Sequence, residues 1–275
     1  MEGHLSNSNS YLLAGSTVEL DRLRLQAKVF EPSAEAWFDE LGIGSGWSCL
    51  DLGCGALGVI GPLARRVGPT GRVVGLDLDA KLLAAAEAFV AKSRLDNIEL
   101  VQADAYATEF PTETFDFVHA RFMFAPLGHD NELLQEMVRL TRPGGLIAIQ
   151  EPDSDAWACW PQSAHFDALK NAILAAFRSG GGDFDVGRRT FGMLRTLGLE
   201  DIRFRAAVVG MHGAHPYMRV PIQFASSLRD RIIAAGVLAA DQLDAAIAGW
   251  ERQIEQPETT FTTFVVTQVN GRKPA

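Results

Sequence analysis

Apolar residues in the middle of this chain fall in short unbroken runs separated by helical stretches, the pattern of strands buried on both faces. Cys49-Leu50-Asp51-Leu52 leads into the glycine-rich turn Gly53-Cys54-Gly55-Ala56-Leu57-Gly58 and a helical run over 59–67. Arg72-Val73-Val74-Gly75-Leu76-Asp77, Ile98-Glu99-Leu100-Val101-Gln102, Phe115-Asp116-Phe117-Val118 and the stretch 146–150 predict further strands. Between them, Leu82, Leu83, Ala86, Phe89 and Val90, then Leu133, Leu134, Met137 and Leu140, recur at helical spacing behind Asp79 and Asp130, the expected caps. Such alternation builds a parallel sheet covered by helices on both sides.

Ahead of the first strand, Ser16-Thr17-Val18-Glu19 has the form of a capping box, and Leu20, Leu23, Ala27 and Phe30 follow at helical spacing up to Pro32. A second short helix is expected over 33–41. After Glu151-Pro152-Asp153 the pattern loosens. The insertion 154–185 carries Trp157, Trp160, a helix near 165–177 and a Gly180-Gly181-Gly182 break. A helix through Phe191, Leu194 and Leu197 and a strand over 201–209 come next. A second insertion, 211–256, holds helices near 222–235 and 241–254, and a last strand over 261–267 precedes the turn-like Asn270-Gly271.

Ligands of such sheets bind beyond the carboxyl ends of the strands, so the residues there carry the functional argument. Gly53 and Gly55 let the backbone turn tightly and approach a ligand. Asp51, two residues before the first glycine, would face a cationic group rather than a pyrophosphate. Asp77 ends the second strand where a carboxylate can accept both hydroxyls of a ribose, and Asp104 with Ala105 follows the third. As a set, Asp51-Leu52-Gly53-Cys54-Gly55 and the later strand-end acids resemble the class I S-adenosylmethionine (SAM) dependent methyltransferases. The resemblance covers roughly residues 45–151, reaching Leu140-Thr141-Arg142-Pro143-Gly144-Gly145 before the fifth strand. It implies a Rossmann-like α/β fold with a mostly parallel seven-stranded sheet, an antiparallel last strand and helical cap insertions. It also implies that the first motif holds the aminoacyl part of SAM, Asp77 with Leu78 the ribose side, and Asp104 with Ala105 the adenine. One departure is the third glycine, Gly58, which stands one residue later than the commoner family spacing.

Composition narrows the partners. At 275 residues with a net charge of −9 and no dense Lys/Arg run, the chain is ill suited to a nucleic-acid backbone. Its 3 cysteines, Cys49, Cys54 and Cys159, have neither metal-ligand spacing nor an even-numbered framework, so a reducing compartment and no metal are expected. The start of the sequence lacks signal-peptide character and no run approaches a membrane span, which predicts a cytoplasmic protein.

The chemistry implied is transfer of a sulfonium methyl to an oxygen, nitrogen or carbon of a small organic acceptor, as in natural-product metabolism. Such a reaction can rest on positioning in a dry pocket. His119, at the end of the fourth strand, is the candidate base, against a structural role. Arg121 is placed beside the methionine end of SAM, while Glu151, Trp157 and Trp160 are candidates for the acceptor pocket. Residues 1–41 are expected to form a helical lid over a domain spanning 42–275, with Tyr11 and Gln26 near the aminoacyl end of the cofactor; a plain wrapper or homodimer contact is the alternative. Three other functions fit parts of the pattern. A SAM-binding enzyme could catalyse a rearrangement or cyclisation without methyl transfer. A pseudoenzyme could retain cofactor affinity alone. An NAD-dependent dehydrogenase suits Gly53-x-Gly55-x-x-Gly58, but Asp51 opposes it and no tyrosine has a lysine four residues on.

Overall fold

The computed structural model describes residues 17–275. Its first element is one continuous helix, α1 (Thr17–Leu41), rather than the two that Pro32 suggested. Proline removes a single helical donor, whereas Phe30, Ala34, Trp37 and Phe38 bury one face of the helix, and that burial outweighs the lost bond. Tyr11 and the proposed capping box at Ser16 lie outside the described residues.

The strands β1 (Ser48–Leu52), β2 (Arg72–Asp77), β3 (Ile98–Gln102), β4 (Phe115–Arg121) and β5 (Thr141–Asp153) pair in parallel in the spatial order β3-β2-β1-β4-β5. Helices α2 (Ile60–Val67), α3 (Ala80–Ser93), α4 (Phe124–Leu127) and α5 (Asp130–Leu140) lie between them. Asp79 caps α3 by accepting from the Lys81 amide, as the pattern predicted. Asp130 instead opens α5 as its first residue, and His129 precedes it at a φ of 53°.

Beyond β5 come the short strand β6 (Ala158–Trp160), helices α6 (Ala164–Ser179) and α7 (Thr190–Thr196), and strands β7 (Glu200–Ala207) and β8 (Gly210–His212). Helices α8 (Val220–Ser227), α9 (Arg229–Ala234) and α10 (Ala240–Ile254) then lead to β9 (Thr260–Thr262) and β10 (Val265–Arg272). The expected last strand is therefore two. Residues 260–262 pair with β6 and β8 in a small separate sheet, while β10 inserts antiparallel between β5 and β7 to complete a seven-stranded sheet. Asn270-Gly271 runs inside β10 and makes no turn: Asn270 pairs with both neighbouring strands and Gly271 with β5, at a break in the β7 register.

Strand order reverses at β1, whose neighbours β2 and β4 are followed by connections that leave in opposite directions. The crevice at such a point is where the carboxyl ends of β1, β2 and β4 meet.

Candidate cofactor and acceptor site

A cavity of about 750 Å³ opens at this crevice. One side is built by strand ends: Asp51, Gly53 and Gly55 after β1, Asp77 and Leu78 after β2, Asp104, Ala105 and Tyr106 after β3, and Arg121 at the end of β4. The structure thus brings these strand-end candidates together on one wall. The other side is formed by Arg22, Leu23 and Gln26 of α1 and by aromatic rings from distant segments, Phe122, Phe177, Phe184, Phe224 and Phe264.

The glycine turn is bare where a ligand would approach. A Cβ on Gly55 would meet nothing within 4 Å, and its φ of 58° suits glycine. Gly58 makes room for a hydrogen bond. A Cβ there would run into Asp51 Oδ2 and Cys54 O, so its absence lets Asp51 Oδ2 accept from the Val59 amide at 3.2 Å.

Asp77 accepts from the Gly55 amide at 2.8 Å and the Asp79 amide at 2.9 Å, one on each oxygen. Each oxygen keeps a second lone pair. Burial holds this carboxyl above the usual range, although both amides favour the ionised form. Asp104 caps its own turn by accepting from the Tyr106 amide at 2.9 Å.

Arg121 donates from Nη2 to Gly58 O at 3.1 Å, but its solvent-shielded Nη1 has no hydrogen-bond partner among the described residues. An unpaired guanidinium nitrogen on a cavity wall asks for an acceptor. Burial also lowers the pKa of Arg121 from its ordinary value. On the facing helix, Arg22 pairs with Glu19 at 2.7 Å and donates to Gln26 Oε1 at 2.7 Å. The same oxygen receives the Tyr217 hydroxyl at 3.5 Å.

Four candidates stand elsewhere than expected. His119 is fully buried and absent from the cavity wall; it bonds to Asp51 through Nδ1 at 2.7 Å and to Gln150 through Nε2 at 3.1 Å. Glu151 is also enclosed, its carboxylate accepting from the Met123, Phe124 and Ala125 amides, so it anchors the rim loop from behind. Trp157 lies in the core and stacks on Phe184 with centroids 5.4 Å apart. Trp160 is 70% exposed on β6 and outside the cavity. Aromatic identity alone could not separate them from Phe184, Phe224 and Phe264, which do line it. For Arg22, the i, i+3, i+7 spacing of Glu19, Arg22 and Gln26 on one helix face was the available signal.

Residues 49–145 match a family model described as "Methyltransferase domain". This stretch is a methyltransferase domain. Demethylmenaquinone methyltransferase of Halalkalibacterium halodurans is 34% identical over 111 residues, covering 40% of this chain and 45% of that protein. The ubiquinone/menaquinone biosynthesis C-methyltransferase UbiE of Hahella chejuensis is 36% identical over 119 residues, covering 41% and 46%. The chain spans about half the length of the relatives it matches. Among solved structures, a SAM-dependent methyltransferase from Aquifex aeolicus superposes with a TM-score of 0.52 at 18% identity, covering 92% of this chain and 99% of that one. The [4+2]-cyclase SpnF does so with 0.53 at 18%, covering 88% and 82%; at these identities the likeness is one of fold. Among the described residues no helix is long and apolar enough to cross a membrane.

Proposed function

We propose that this protein binds SAM and transfers its methyl group to a small, largely apolar organic acceptor. The observation that carries this is the division of the cavity between a polar strand-end wall and an aromatic wall. On the first, Asp77 is set to accept the ribose hydroxyls with Leu78 beside it, Asp104 and Ala105 flank the adenine, and the bare Gly55 backbone admits the chain beyond. The unpaired Arg121 Nη1 suits the carboxylate of the methionine tail, with Gln26 across the cavity. The donors and acceptors present fit the chemistry of the cofactor.

When bound, SAM supplies an electrophilic methyl group on a sulfonium. The protein's own part is to hold the acceptor's lone pair in line and keep water away, which can lower a barrier by about 7–11 kcal/mol in favourable cases. Phe122, Phe177, Phe184, Phe224 and Phe264 bind a flat apolar body, and their ring faces favour a neighbouring positive charge. His119 lies behind Asp51, so it does not meet the acceptor as a base.

The test is mass spectrometry of extracts incubated with the protein and deuteromethyl-SAM, with demethylmenaquinone, the compound in the relatives' names, as the first defined acceptor. A labelled apolar product supports the proposal. Cofactor binding with no label transferred to any extract component would favour SAM-assisted chemistry without methyl transfer.

A further inference from the structure

Four polar side chains cross the core of the sheet in a row. Asp51 on β1 lies directly opposite His119 on β4, Gln150 on β5 is hydrogen-bonded to His119, and Gln268 on β10 lies directly opposite Gln150. None is more than 1% exposed. The row ends under α1, where Gln268 Nε2 donates to the Ser33 carbonyl at 3.2 Å. His119 itself is enclosed by Trp37, Phe38 and Phe117, with centroids 6.4, 5.7 and 6.0 Å away.

Two atoms of this row have no hydrogen-bond partner, Gln150 Nε2 and Gln268 Oε1. One is a donor and the other an acceptor, on residues that face each other across neighbouring strands. Side chains so paired have Cβ atoms about 4.5–5.5 Å apart, within reach of an amide-to-amide hydrogen bond. Leaving both unmade would cost the desolvation of each group, so a small rotation that joins them is favoured.

The direction of every bond then follows from the ends. The Ser33 carbonyl can only accept, which turns the Gln268 amide nitrogen towards it and the Gln268 oxygen towards Gln150. That oxygen requires the Gln150 nitrogen, which leaves the Gln150 oxygen facing His119. His119 must therefore donate from Nε2. At its other nitrogen stands the Asp51 carboxylate, which also accepts from the Val59 amide.

We propose that Asp51, His119, Gln150, Gln268 and the Ser33 carbonyl form one continuous hydrogen-bonded row in which His119 donates from Nε2 to Gln150, making it a positioning residue that ties the glycine turn to α1. The row also links the two walls, since α1 carries Arg22 and Gln26.

The row does not depend on what the cavity binds; the coupling to ligand affinity rests on the function proposed above. Nitrogen NMR of the unliganded, ¹⁵N-histidine-labelled chain at neutral pH tests the first, with His119 assigned by loss of its signals in His119→Gln. Nε2 should carry a proton protected from exchange. An unprotonated Nε2 overturns the proposal. In folded Gln268→Leu, remote from the cavity, the His119 Nε2 signal should move and affinity for S-adenosylhomocysteine should fall roughly two- to tenfold, the net worth of about one hydrogen bond. Unchanged His119 signals would show that the row is not continuous, and unchanged affinity that it does not position the turn. Should the wild type bind no S-adenosylhomocysteine, the proposed function fails while the NMR result still decides the row.

Discussion

The Asp77 carboxylate accepts the Gly55 amide at 2.8 Å, which ties the end of β2 to the tip of the glycine turn after β1. One side chain thereby fixes the turn's position and presents its remaining lone pairs to the cavity. Because burial raises its pKa, Asp77 takes up a proton at a higher pH than an ordinary aspartate. The ionised form is the one that accepts two hydroxyls. Calorimetric affinity for S-adenosylhomocysteine should therefore decline as pH is lowered towards about 4, beginning above the ordinary aspartate range. Asp77→Asn should bind weakly and lose that pH dependence.

Arg121 is assigned to the amino-acid tail, so its removal should discriminate between ligands. Arg121→Gln is expected to weaken S-adenosylhomocysteine by roughly ten- to a hundredfold, the value of about 1.5–3 kcal/mol for hydrogen bonds to a charged group. Adenosine, which has no tail, should bind the variant and the wild type alike in the same titration.

Glu151 contributes to stability in a pH-dependent way. Burial pushes its carboxyl up from 4.5 to about 8, although three loop amides favour the charged form. In the unfolded chain it ionises near the ordinary value, so its contribution is full below that and is lost as pH rises through about 8. Thermal melts should show Tm falling from mildly acidic to alkaline pH, and Glu151→Gln should flatten that fall.

Gly58 permits the contact between Asp51 and the Val59 amide, and its φ is 46°. Gly58→Ala should destabilise the protein by about 1–3 kcal/mol in urea unfolding, from backbone strain and the collision with Asp51. A loss below about 0.5 kcal/mol would mean the turn relaxes freely.

What the sequence made legible was local. Asp77, Asp104 and the glycines sit at the ends of apolar runs, so their position on one rim follows from the parallel sheet alone. Trp157 and Trp160 went astray because an aromatic residue in an insertion has no period that tells core from cavity. Phe264 was equally hidden: the expected single strand breaks between β9 and β10 as the chain leaves one sheet for another, and no Gly or Pro marks the place. Pro32 misled for the opposite reason, since tertiary burial of Trp37 and Phe38 carries α1 through a local breaker. His119 was found at the right strand end, but strand alternation could not show that its ring points into the layer beneath α1.

The central claim, that the strand-end wall is a SAM site, is tested most directly by calorimetric titration of S-adenosylhomocysteine into the wild type and into Asp77→Ala, with NAD as the control ligand. The account predicts saturable binding to the wild type, affinity reduced roughly ten- to a hundredfold in the folded variant, and no binding of NAD. Equal affinity of the wild type and the folded variant for S-adenosylhomocysteine, or binding of NAD in its place, would contradict it.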